Sequence, residues 1–124
     1  MFGEKPMSLT KMVDPAEWAN FLSEFSERNR GRRARFELFR RDGEVAEEGQ
    51  EGYFDRVSID RDVVKIERKY KNHEKDEVMS DEIPNIHGIS VQFDTDESEN
   101  TLEFTNDRGD MTVLHFESLV DGDS

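Results

Sequence analysis

The residues of this sequence best equipped for chemistry are its arginines. Arg28, Arg30, Arg32, Arg33, Arg35, Arg40 and Arg41 fall within fourteen residues that contain one acid, Glu37. Seven arginines against one acid give this segment +6 in a chain of −13, which leaves −19 for the remainder. Guanidinium groups grip phosphates and carboxylates through paired hydrogen bonds, and a strand of arginines can track a nucleic-acid backbone. The seven therefore form a candidate interaction patch, with two readings. In one, the patch binds RNA or another polyanion. In the other, acids on neighbouring strands and loops neutralise it. The second is preferred, because no aromatic-rich strand of the RNA-binding type accompanies the arginines. In a regular strand Arg33 and Arg35 would project with Glu37, opposite Ala34, Phe36 and Leu38. Asp55, Glu67 and Glu103 are acids that adjoining strands could bring to that side.

No other constellation selects a reaction. His73, His87 and His115 share no ligand-like spacing. His115 alternates with Leu114 and Phe116 and should point away from their face; His87 should lie at a strand entry. The acid runs Asp94-x-Asp96-Glu97-x-Glu99 and Glu44-x-x-Glu47-Glu48 lack the glycine and terminal glutamate of a calcium-binding loop and read as solvated loops. There is no G-x-S-x-G, phosphate-binding loop or dinucleotide fingerprint. The sequence thus assigns no catalytic, cofactor-binding or metal-binding residue and calls for no cofactor.

Composition narrows the partners. With 33% hydrophobic and 38% charged residues the core is lean, and its mass must come from twelve aromatics, nine of them Phe. A net charge of −13 and a pI near 4.6 repel nucleic acid and anionic membrane and favour basic partners. Acid excess with few lysines also suits a salt-adapted proteome. Cysteine is absent, which removes disulfides and thiol chemistry and fits a reducing compartment. Residues 1–13 hold no apolar run suited to a signal, and no stretch reaches membrane-spanning length. The expected location is cytoplasmic.

The elements that must position these residues begin with a helix. Asp14 is a good N-cap, Pro15 suits the first helical position, and Glu17 stands three residues after the cap. Val13 and Trp18 have the spacing of a hydrophobic staple. Trp18, Phe21, Leu22 and Phe25 then recur at i, i+3, i+4 and i+7, one apolar face, and the helix should close near Asn29 and Gly31. Strands follow at 34–38, 53–59, 64–70, 89–93, 102–104 and 114–116. Asn106-Asp107-Arg108-Gly109 forms the last turn. Residues 42–52 read as an acidic linker, and 71–83 as either a loop or a polar edge strand ending at Ile83-Pro84. No βαβ pattern appears, so the sheet should be antiparallel.

Trp18-x-x-Phe21-Leu22-x-x-Phe25-Ser26, with Asn29 and Gly31 after it, forms one motif. Leu102-x-Phe104, Gly109, Thr112, Leu114 and Phe116 form a second, with Ile83-Pro84 between them. In these motifs the chain resembles a small uncharacterised bacterial family known only as a domain of unknown function. The resemblance spans roughly residues 14–117. It implies a single domain and carries over no ligand, activity or catalytic residue.

The expectation is a flexible lead-in over 1–12, a single α+β domain over 13–117 and an acidic tail over 118–124. The domain has an N-terminal helix packed on a bent antiparallel sheet of five or six strands. The expected function is a non-enzymatic cytoplasmic interaction or accessory domain, meeting a protein partner or a second copy of itself, with nucleic acid disfavoured and no membrane. The alternative is a polyanion or RNA binder using the Arg-rich segment 28–41. A helix before a bent five-stranded sheet also describes Sm-like RNA-binding folds, although the second Sm motif is missing.

Overall fold

The computed structural model describes residues 9–40, 42–43, 45–47, 52–72 and 75–117. The chain enters as a short strand, β1 (Leu9–Met12), followed by a 3-10 turn (Pro15–Glu17) and the helix α1 (Trp18–Asn29). Eight more strands follow: β2 (Arg33–Phe39), β3 (Val45–Glu47), β4 (Gly52–Asp60), β5 (Val63–Asn72), β6 (Lys75–Ile83), β7 (Ile86–Phe93), β8 (Glu99–Asn106) and β9 (Met111–Phe116). The α+β class and the antiparallel sheet agree with the sequence reading. The strand number does not, since the described residues form nine strands in place of the expected five or six. Two of them, β1 and β3, were hidden in segments read as lead-in and linker, and β6 is the polar edge strand that stood as one of the two readings of 71–83.

Every strand pairing is antiparallel. The order is β1-β7-β8-β9-β2-β4-β5-β6, with β3 added beside the second half of β2. Strand β2 is the junction. It pairs with β9 along Ala34–Phe39, but with β4 only at Arg33 and Ala34, before β3 takes over at Glu37–Phe39. The inner faces of both wings, β7-β8-β9-β2 and β4-β5, share one core with α1.

The helix start follows its sequence signals with one refinement. The Asp14 carboxylate accepts from the Ala16 N–H (3.0 Å), but the first turn is 3-10 and the α-helix begins at Trp18. Glu17 makes no capping bond. The staple forms: Val13 is buried and its carbonyl accepts from the Trp18 indole N–H at 3.1 Å. Leu22 and Phe25 are fully buried, while Trp18 and Phe21 pack at the margin of the core. On the same face the Ser26 hydroxyl accepts from the Val57 N–H (2.9 Å), which fixes the helix against β4. Gly31 closes the helix at φ +94°, a conformation costly for any residue with a Cβ, and its N–H reaches the Phe54 carbonyl at 2.7 Å. Gly109 likewise adopts φ +91° in the last turn, as its position in Asn-Asp-Arg-Gly predicts.

One buried residue breaks the usual rule. Arg68 lies on the inner face of β5, two residues beyond Ile66, and is fully buried. Its guanidinium lies 4.4 Å from the Phe36 ring centroid and 3.7 Å from the Asp81 carboxylate. Stacking on an aromatic face together with a nearby acid makes such burial tolerable.

Candidate functional site

The fold disperses the arginine patch. Arg28 leaves the end of α1 and forms a bidentate pair with Glu99, Nε to Oε1 at 3.0 Å and Nη2 to Oε2 at 2.6 Å. Arg30 donates to the Asp55 carbonyl at 3.1 Å and lies 3.4 Å from the Asp55 carboxylate and 3.3 Å from Glu27. Arg32 donates to the Glu99 and Glu117 backbone carbonyls and to Asn29 Oδ1, with its guanidinium 5.0 Å from the Phe116 ring centroid. Arg33 reaches Glu117 at 3.8 Å. Arg40 is exposed beyond the end of β2, and Arg41 lies outside the described residues. Arg35 stands on the outer face of β2, opposite His115 in register.

The acids expected beside Arg33 and Arg35 sit elsewhere. Asp55 takes Arg30 and Lys69, and Glu67 takes Arg56 and Lys65. Glu103 accepts from Ser90 (2.8 Å) and Gln92 (2.5 Å). Arg28, Arg30 and Arg33 thus meet carboxylates, and of the acids named from the sequence Asp55 is among their partners. Glu99, which accepts from Arg28 and Asn29, was read only as part of a solvated loop; it is instead buried. This network lines an open cleft of about 530 Å³ between α1 and the β7–β8 connection, where Lys11, Arg28 and Arg32 face Glu24, Glu97 and Glu99. The cleft carries equal numbers of cations and anions and so favours neither sign of ligand.

Electrostatics follow the burial. The hydrogen bond to Glu99 raises the Arg28 pKa against the opposing effect of burial. Burial lowers that of Arg32, outweighing the pull of Glu99, Asp96 and Asp94. In the β7–β8 connection the Asp96 carboxylate accepts from both the hydroxyl and the N–H of Ser98 (2.5 and 2.9 Å), which holds its pKa below the ordinary value. Asp96 thus binds its proton less readily folded than unfolded. Its stabilising contribution is present at neutral pH and lost as pH falls through the lowered value. A carboxyl-carbon NMR titration should place Asp96 below the exposed aspartates, and Ser98→Ala should move it back toward them. An unchanged midpoint in that variant would refute the assignment.

His87 and His115 lie on different strands, β7 and β9. His115 points away from Leu114 and Phe116, and its Nε2 donates to Glu37 Oε1 at 2.5 Å. His87 is exposed at the second position of β7, and His73 lies outside the described residues. A cleft of about 190 Å³ beside His115 is lined also by Arg33, Ala34, Arg35 and Glu117. Among the described residues no three His, Asp or Glu side chains gather in metal-binding range. Among the described residues no helix is long and apolar enough to cross a membrane.

Compared with known proteins, the chain matches no family model and no curated protein.

Proposed function

We propose that this protein is a non-enzymatic, cytoplasmic interaction domain whose partner presents a basic surface. The observation that supports this reading is the internal use of the arginines. Arg28, Arg30 and Arg33 each face a carboxylate of the same chain, and Arg32 is turned onto backbone carbonyls and Phe116. Arg28, Arg30, Arg32 and Arg33 are thus engaged within the chain. The acid excess of the rest of the chain is what a partner meets at long range, and it steers basic surfaces inward. Kinship with the bacterial family of unknown function is part of the same proposal and rests on the Trp18–Phe25 and Leu102–Phe116 motifs.

Two measurements test the reading. Titration with single-stranded RNA and duplex DNA at physiological salt should show no binding. Micromolar binding that falls with salt and disappears in Arg33→Glu/Arg35→Glu would instead establish the polyanion binder. A pull-down at two salt concentrations should retain basic proteins at low salt and release them at high salt. Retention of nucleic acid in place of basic protein would count against the proposal.

A further inference from the structure

Strand β6 forms one end of the sheet. It is hydrogen-bonded to β5 in unbroken register from Lys75 to Ile83, and no described strand pairs with its other side. An edge of this kind presents a row of N–H and C=O groups ready to accept a further strand. The opposite end of the sheet, β1, has four residues against the nine of β6. The β6 sequence KDEVMSDEI carries four acids and one lysine, a net −3. On its outer face Val78 is 58% exposed, with Ser80 and Glu82 exposed after it.

We infer that β6 is a docking edge for an extended basic segment of a partner protein, which adds to the sheet as an antiparallel or parallel strand. The inference rests on the basic-partner reading above and names its site. Charge selects the occupant. A second copy would set one −3 strand against another, and like charges facing each other across a strand pair are destabilising. A basic segment instead places Lys or Arg on the outer face beside Glu82, and the aliphatic stem of a neighbouring lysine on that face would cover Val78. Backbone hydrogen bonds would supply the pairing, and alternate side chains the choice of sequence.

The probe is an alternating Lys-Val peptide as long as β6, titrated into the isotope-labelled full chain at low salt. Its counterparts are a Glu-Val peptide and two Lys-Val peptides N-methylated at alternate residues, in one phase and in the other. Amide shifts and slowed exchange should concentrate in 75–83. The N-methylated peptide whose methyl groups face β6 should bind at least about tenfold more weakly, as should the Lys-Val peptide to Val78→Lys/Glu82→Lys, whose changes fall on exposed side chains. The Glu-Val peptide should not bind. If both N-methylated peptides bind as well as the parent, or if shifts cluster elsewhere, the edge site is wrong while the basic-partner reading stands. If the Lys-Val peptide does not bind at all, both fail. Concentration-dependent shifts at β6 without peptide would replace the partner by a second copy and overturn the inference.

Discussion

Replacing Phe25 by alanine should cost about 3–5 kcal/mol of folding stability, the range for truncating a large buried aromatic. Phe25 is fully buried on α1 and holds three elements together. Its ring meets Phe54 of β4 edge-on at 5.8 Å and Phe116 of β9 at 5.6 Å, and those two rings meet each other at 5.3 Å. Tilted or edge-on contacts at this spacing add about 0.5–1.5 kcal/mol each beyond area burial. Leu22 is fully buried on the same helix face, and Ser26 accepts from the Val57 N–H of β4 beside it. Urea unfolding of wild type and Phe25→Ala measures the effect, with Phe25→Leu expected to fall between them. Phe21, 5.7 Å from Phe25 but only partly buried, should lose less on truncation. A Phe25→Ala cost below about 1 kcal/mol would contradict the packing described.

That triangle was half legible in the sequence. The spacing from Trp18 to Phe25 behind Asp14-Pro15 marks the helix and its apolar face. Alternation around a tight turn at Gly109 marks β8 and β9. Both signals are local, because caps, periodicity and turn chemistry act within a few residues. Strand β6 shows the limit. KDEVMSDEI has polar residues on both faces, since its inner row of Glu77, Met79, Asp81 and Ile83 sits only half-buried at the sheet margin, so alternation could not choose between the loop and the polar edge strand that the sequence allowed. Strand β1 is four residues long and mostly exposed, too short to display a period. Arg68 falls on the inner face by simple alternation after Val64 and Ile66, yet its charge disguises a core position. The stacking Phe36 that makes burial tolerable is 32 residues away in sequence.

The arginine patch was legible as a cluster and as a charge to be neutralised, but its partners were not. Arg28 and Glu99 are 71 residues apart, and only the placing of α1 against the start of β8 brings them together. The acids that neighbouring strands could have offered to Arg33 and Arg35 are held by other cations or by Ser90 and Gln92. Strand order decides such pairings, and strand order is the least local property of a sheet. The bulge in the β4–β5 pairing between Phe54 and Arg56 adds a further shift that no pattern announces.

Glu99→Ala should produce the second large loss, about 2–4 kcal/mol, because the carboxylate serves several partners at once. Its side chain is 9% exposed, it accepts two hydrogen bonds from Arg28, and it accepts a third from Asn29 at 2.7 Å. Asn29 donates also to the Phe25 carbonyl and accepts from Arg32, so the acid fixes the end of α1 and the entry to β2 together. Removing it leaves the Asn29 amide short of an acceptor and removes the anion that offsets the Arg32 charge. Arg28 is 46% exposed and can return to water, so Arg28→Ala should cost less, about 1–2 kcal/mol. The two substitutions share one interaction and should not add. A double-mutant cycle in urea should give a coupling of about 1 kcal/mol or more between Arg28 and Glu99. The asymmetry is the sharper test, since a surface pair would lose little from either side. Equal costs for Glu99→Ala and Arg28→Ala with no coupling would show that Glu99 is not the hub joining helix, β2 and β8.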